Sequence, residues 1–129
     1  MEPARRVGEG VRFWENPERT GWLMKQGAWI KTWRRRWFVM KDGLIFWFKT
    51  DQISVSSVPR GIVEVNKCLS VKGAEEVLNK PYSFEISTRE NTQYFVADSE
   101  KDKEDWINAV GRAIVRQSRS MQAEEVLSY

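Results

Sequence analysis

Apolar and polar positions alternate in short runs over most of the chain, and the period then changes near its end. Trp22, Leu23 and Met24 lie in a first run that starts at Thr20 and is closed by Gly27. Trp33 to Lys41 is a second run, rich in aromatics and Val. Asp42-Gly43 is a strong hairpin signal between it and the aromatic run Leu44 to Lys49. A polar, Ser-containing loop from Thr50 to Pro59 leads to short runs at Gly61–Val65 and Cys68–Lys72. After Asn79 and Pro81, Tyr82, Phe84 and Ile86 alternate with Ser83, Glu85 and Ser87. Asn91 marks a further turn before Gln93–Ala97. Seven short strands separated by turns predict an antiparallel sandwich or barrel.

The last segment has helical period. Trp106, Ile107, Val110, Ala113 and Ile114 form one apolar stripe at i, i+1, i+4, i+7 and i+8. Ser99 is placed to cap the helix, with Asp102 three residues on. Acidic residues load the first turns and Arg112 and Arg116 the last, which suits the helix dipole. The pattern predicts a helix over about 100–118, with Trp106 packed on the sheet and a polar, frayed tail from Ser120. Residues 1–18, with their glycines, prolines and charges, read as a mobile lead-in, except that Phe13 and Trp14 should dock.

Composition narrows the chemistry. The chain has 129 residues, 41% hydrophobic and 30% charged, which suits one domain with a core. The longest apolar run, Leu44 to Phe48, has five residues, far short of a membrane span. A single cysteine, Cys68, leaves no internal disulfide and points to a reducing compartment, with the thiol as a small apolar filler. With no histidine, Ser-His-Asp and Cys-His nucleophilic sites and His-ligated zinc are excluded, as is the usual neutral-pH general base. The expectation is a chain that is not an enzyme and needs no cofactor or metal.

The net charge of +3 conceals an uneven distribution. From Arg19 to Lys41 there are seven basic residues and no acidic one, leaving 14 basic against 18 acidic elsewhere. A molecule polarised in this way is oriented toward a polyanion, either nucleic acid or an anionic membrane.

The strand order and final helix resemble the pleckstrin homology (PH) domain: mainly β, a seven-stranded antiparallel barrel capped by one C-terminal α-helix. Gly21-Trp22-Leu23-Met24-Lys25-Gln26-Gly27 resembles that family's first strand, and Trp33-Arg34-Arg35-Arg36-Trp37-Phe38-Val39-Met40 its second. Pro59-Arg60-Gly61-Ile62-Val63 resembles the start of the fourth, and Glu104-Asp105-Trp106-Ile107 the helix motif. The resemblance covers residues 20–118, with 1–19 as an N-terminal extension and 119–129 as a tail. Asn16-Pro17-Glu18-Arg19 and the small size resemble the short, free-standing members found in plants.

Members that bind phosphoinositides resemble one another in a Lys late in the first strand and an (Arg/Lys)-x-Arg in the second. The matching positions are Lys25, Arg34 and Arg36. Strand side chains alternate, so Arg34 and Arg36 share a face with Phe38 and Met40, as Lys25 does with Leu23. With the apolar members in the barrel, the cations must sit beyond the core at its mouth, because buried unpaired charge is costly. There they would converge on a phosphomonoester, arginine engaging it bidentately and lysine as a point charge. The competing role for Arg34 and Arg36 is a pair of cross-strand salt bridges. Arg35 faces the other way and is expected to be solvated or lipid-facing. The resemblance adds Arg60 as a head-group ligand, against a plain turn residue. It also implies a tyrosine on the third strand where this chain has Trp47, which has no hydroxyl and argues against tight binding of a polyphosphorylated head group.

The loop Gly27-Ala28-Trp29-Ile30-Lys31 reads as a membrane-inserting wedge of Ala28, Trp29 and Ile30, with Lys31 meeting anionic lipid; alternatively Trp29 folds back on the barrel. The expected function is a phosphoinositide-binding, membrane-targeting module. It would be cytoplasmic and monomeric, peripherally attached to endosomal or plasma membrane, with a singly phosphorylated head group such as the 3-phosphate slightly favoured. The alternative is a protein-interaction module using a barrel edge or the helix. Nucleic-acid binding is disfavoured, since one short basic loop is a small footprint on a net acidic remainder.

Overall fold

The computed structural model describes residues 7–27 and 30–127, with side chains through residue 119. Its strands are β1 (Arg19–Gln26), β2 (Trp33–Lys41), β3 (Leu44–Phe48), β4 (Gly61–Glu64), β5 (Cys68–Gly73), β6 (Ser83–Thr88) and β7 (Thr92–Val96). They form one sheet in the order β4-β3-β2-β1-β7-β6-β5, antiparallel at every step. The edge strands β4 and β5 are not hydrogen-bonded to each other, so the barrel stays open at that corner. The seven expected strands are present. A 3-10 turn at Val65–Lys67 and a one-turn helix α1 (Glu75–Leu78) add two elements that the sequence pattern did not show.

The β2–β3 turn follows from its residues. Asp42 and Gly43 have φ of 51° and 75°. Positive φ at both positions is what a two-residue turn between right-twisted strands requires, and Asp and Gly tolerate it best.

Strands β2 and β3 feed two apolar clusters from their two faces. Leu23, Phe38, Met40, Ile45, Phe84, Phe95 and Trp106 fill the barrel interior. Val39, Phe46, Phe48 and Phe13 form a second cluster on the outer face, joined by Val11 and Trp14. Phe13 lies 5.1 Å from the rings of both Phe46 and Phe48. The docking of Phe13 and Trp14 is therefore as expected, and residues 7–18 are laid along the sheet rather than forming a mobile lead-in.

Helix α2 (Glu100–Leu127) closes the barrel against β5, β6 and the 3-10 turn. Ser99 caps it, the Asp102 N–H donating to Ser99 Oγ at 3.1 Å. The stripe is as expected, with Trp106, Val110 and Ala113 buried and Ile107 and Ile114 packed at the margin. The helix runs well past residue 118, so the expected frayed tail from Ser120 is corrected. Arg116, Gln117, Met121, Ala123 and Glu124 are good helix formers, and the helix is continued by propensity after its apolar stripe ends.

Cys68 is buried, its thiol donating to the Glu64 carbonyl at 3.3 Å. Burial pushes its pKa up to about 11. Because the thiolate is the reactive form, the native protein should resist alkylation at pH 8 and react fully only when denatured. Native labelling as fast as that of a free thiol would contradict this packing.

Candidate functional site

The β1–β2 register sets the site. Lys25 pairs with Arg34 and Leu23 with Arg36. Directly opposed residues project to the same face. Leu23 and Phe38 are at most 1% exposed in the barrel interior, so Lys25, Arg34 and Arg36 form the next layer outward, at the mouth. Across the sheet, Gly61 pairs with Trp47 and Trp47 with Phe38, which brings Arg60, one residue earlier, beside the Arg36 end of β2. The Arg60 N–H donates to the Trp47 carbonyl at 2.7 Å and fixes this return of the chain.

Electrostatics report the same convergence. Partial burial, then the charges of Arg60 and Arg34, push the Arg36 pKa below its ordinary value. Half-burial, then the charge of Lys31, does the same to Lys25. Arginine stays charged regardless. The shifts therefore express burial first and, after it, the nearness of like charges. Among the described residues, none of Lys25, Lys31, Arg34, Arg36 and Arg60 forms an ion pair. The cross-strand salt bridges considered for Arg34 and Arg36 are not formed.

The other cations of the basic segment are used elsewhere. Arg35 is exposed, as expected for a solvated residue, and in addition holds Asp98 bidentately at 2.9 and 3.0 Å and lies 5.1 Å from the Trp22 ring. It ties β2 to the chain just before α2. Arg19 bridges to Asp102 and Asp105, both at 3.4 Å, and lies over the Trp106 ring at 5.6 Å. Lys41 donates to the Asn16 carbonyl at 3.2 Å. At the mouth, Lys25, Lys31, Arg34, Arg36 and Arg60 make a set of five cations with no ion-pair partner among the described residues.

Trp47 has a role that its missing hydroxyl did not reveal. Lys25 Nζ lies 4.8 Å from its ring centroid, so the indole face positions the ammonium. The ring lies across Gly61, where an added Cβ would come within 2.0 Å of it. Gly61→Ala should therefore displace Trp47 and release Lys25, destabilising the domain by about 1–3 kcal/mol. Denaturant unfolding checks this, and an unchanged midpoint would show that the ring moves aside freely.

Ile30 is 68% exposed on the β1–β2 loop. Ala28 and Trp29, the remainder of the expected wedge, lie outside the described residues. A cleft of about 670 Å³ opens at the β4–β5 corner. Glu64, Lys67, Arg89 and Glu90 line it with mixed charge, and none of the five cations does. Among the described residues, no group of acidic and cysteine side chains could hold a metal ion. No described helix is long and apolar enough to cross a membrane.

Comparison with known proteins agrees with this architecture. The family model for the PH domain matches residues 17–115. "Pleckstrin homology domain-containing protein 1" of Arabidopsis thaliana is 56% identical over 132 residues, spanning 100% of this chain and 90% of that protein. Among solved structures, the C-terminal PH domain of pleckstrin in complex with D-myo-Ins(1,2,3,5,6)P5 superposes with a TM-score of 0.65 at 24% identity, covering 77% of this chain and 96% of that one. The Slm1-PH domain in complex with inositol-4-phosphate does so with a TM-score of 0.64 at 17% identity, covering 75% and 96%.

Proposed function

Since the chain belongs to the PH domain family, we propose that it is a phosphoinositide-binding module that docks on an anionic membrane and acts there as a small peripheral adaptor. One observation carries the reading. Lys25, Lys31, Arg34, Arg36 and Arg60 crowd one barrel mouth without a carboxylate partner. Holding like charges together is unfavourable unless an anion joins them, and a phosphomonoester brings up to two negative charges and several acceptor oxygens. Arg34 and Arg36 would grip it, Lys25 would contact it from the face of Trp47, and Arg60 and Lys31 would close either side. That two solved domains of this fold hold inositol phosphates supports the choice of anion.

A singly phosphorylated head group such as the 3-phosphate is favoured. Trp47 offers no hydroxyl to a second phosphate, and its ring already faces Lys25. Such a lipid places the protein on endosomal membrane, with the plasma membrane as the other candidate. Sedimentation with vesicles carrying each phosphoinositide in turn tests the reading. Binding should require a phosphorylated inositol, favour monophosphates and weaken with salt. Equal sedimentation with phosphatidylserine alone, or none at low salt, would overturn it.

A further inference from the structure

We infer that the β3–β4 loop is a second bilayer-contacting element, with Val55 and Val58 entering the acyl boundary while the cations hold the head group. The inference rests on the head-group reading for the identity of the membrane, and it concerns residues outside that site. Val58, Val55 and Ile30 are the three most exposed large hydrophobic residues among those described, at 83%, 70% and 68%. All three fall on the two loops that bracket the basic mouth. Exposed apolar residues scattered singly need no explanation, but their concentration around one charged site does.

The loop holds these side chains outward. Its base is anchored by Ile53, which packs on the Phe13, Phe46 and Phe48 cluster. Its tip is cross-braced by serines. The Ser54 N–H donates to Ser57 Oγ at 2.9 Å, the Ser57 N–H to the Ser54 carbonyl at 3.1 Å, and the Ser54 and Ser56 hydroxyls lie 3.0 Å apart. With its three serine hydroxyls engaged within the loop, the tip shows its two valines to the surroundings. Val58 lines one hollow of about 200 Å³ together with Lys49, Ser57 and Arg60. Val58 therefore shares one surface with Arg60 and Lys49.

That surface fits a bilayer with an anionic interface. Arg60, Lys49 and Lys31 would lie at the phosphate level and the valines just beneath it. A globular protein partner would need a shaped apolar counterpart, whereas two separated aliphatic side chains flanked by cations match a fluid hydrocarbon layer. Insertion at two loops would also fix the orientation of the barrel, which one head-group contact leaves free.

The test compares vesicle partitioning with titration by a soluble head group. Phosphatidylcholine/phosphatidylserine vesicles carrying phosphatidylinositol 3-phosphate are used for the first, and inositol 1,3-bisphosphate for the second. The surface variant Val55→Ser/Val58→Ser should lower partitioning by roughly tenfold while leaving the soluble titration unchanged, and Val58→Trp should raise partitioning. Unchanged partitioning in both variants would overturn the inference, as would equal weakening of the soluble titration by the double serine variant. Arg34→Ala/Arg36→Ala separates the two readings. If that variant partitions like wild type while the serine variant does not, the head-group reading fails and the loop assignment stands.

Discussion

An Arg34→Ala/Arg36→Ala variant is expected to lose binding to phosphoinositide vesicles by about 100-fold or more, and to unfold at no lower denaturant concentration than wild type. Each arginine supplies charge-assisted hydrogen bonds, worth roughly 1.5–3 kcal/mol apiece where a partner is desolvated. A 100-fold loss needs only about 2.7 kcal/mol. Stability should move little, because Arg34 is exposed and neither arginine has an ion-pair partner to abandon. Arg36 in fact sits against the charges of Arg60 and Arg34, so truncation removes repulsion. Vesicle sedimentation and urea unfolding on the same preparations check both halves. Undiminished binding would remove the head-group assignment, and a marked loss of stability would show that these arginines hold the fold together.

Binding lost without loss of stability marks a residue kept for function, and the sequence alone could only partly separate such residues from structural ones. Arg34 and Arg36 were legible because strand alternation puts them on the face of Phe38 and Met40, and register does the rest. Arg35 was not. Its partner Asp98 is 63 residues away, brought close only once β7 has folded beside β1. Arg19 and Lys41 belong to the same unbroken basic segment, yet the fold commits the first to α2 and the second to a backbone carbonyl. A local charge count cannot divide a block of this kind, because the acids that neutralise part of it arrive from distant elements.

The strands were legible for a related reason. Each central strand carries apolar residues on the barrel face, and β2 and β3 carry apolar or aromatic ones on the outer face as well, so strand length is set by local pattern and ended by turn residues. The end of α2 carried no such mark, since the apolar stripe stops while helix-favouring residues continue. Trp47 was seen as the absence of a hydroxyl. Its positive role depends on Gly61, an adjacent-strand neighbour that leaves room for the ring, and on Lys25 reaching across from β1. Val55 and Val58 were hidden among serines in a loop that composition marks as polar, and only their exposure distinguishes them.

Trp106→Ala should have the opposite signature, destabilising the domain by about 3–5 kcal/mol while leaving the binding site intact below the transition. Trp106 is 1% exposed and is among the largest side chains in the core. Its ring meets Phe38 edge-on at 6.4 Å and lies under Arg19 at 5.6 Å. Truncation would leave a cavity where α2 meets the barrel. It would also strip the apolar support from Arg19, whose Nε is buried without a hydrogen-bond partner and whose other nitrogens reach Asp102 and Asp105. A small domain has about 5–15 kcal/mol in all, so the loss is a large fraction, and the melting temperature should fall on the order of 10–20 °C. The mouth cations sit at one end of β1 and β2 and on the two loops beside them, whereas α2 packs mainly on β5, β6 and the 3-10 turn and meets β1 and β2 further inward, at Arg19, Gly21 and Phe38. At low temperature, head-group affinity should therefore stay within about twofold of wild type, since well-separated sites act nearly independently. Calorimetry and head-group titration on this variant and on Arg34→Ala/Arg36→Ala should then give two opposite outcomes. Loss of affinity on removing Trp106, in protein still fully folded, would instead mean that α2 sets the geometry of the mouth across the barrel.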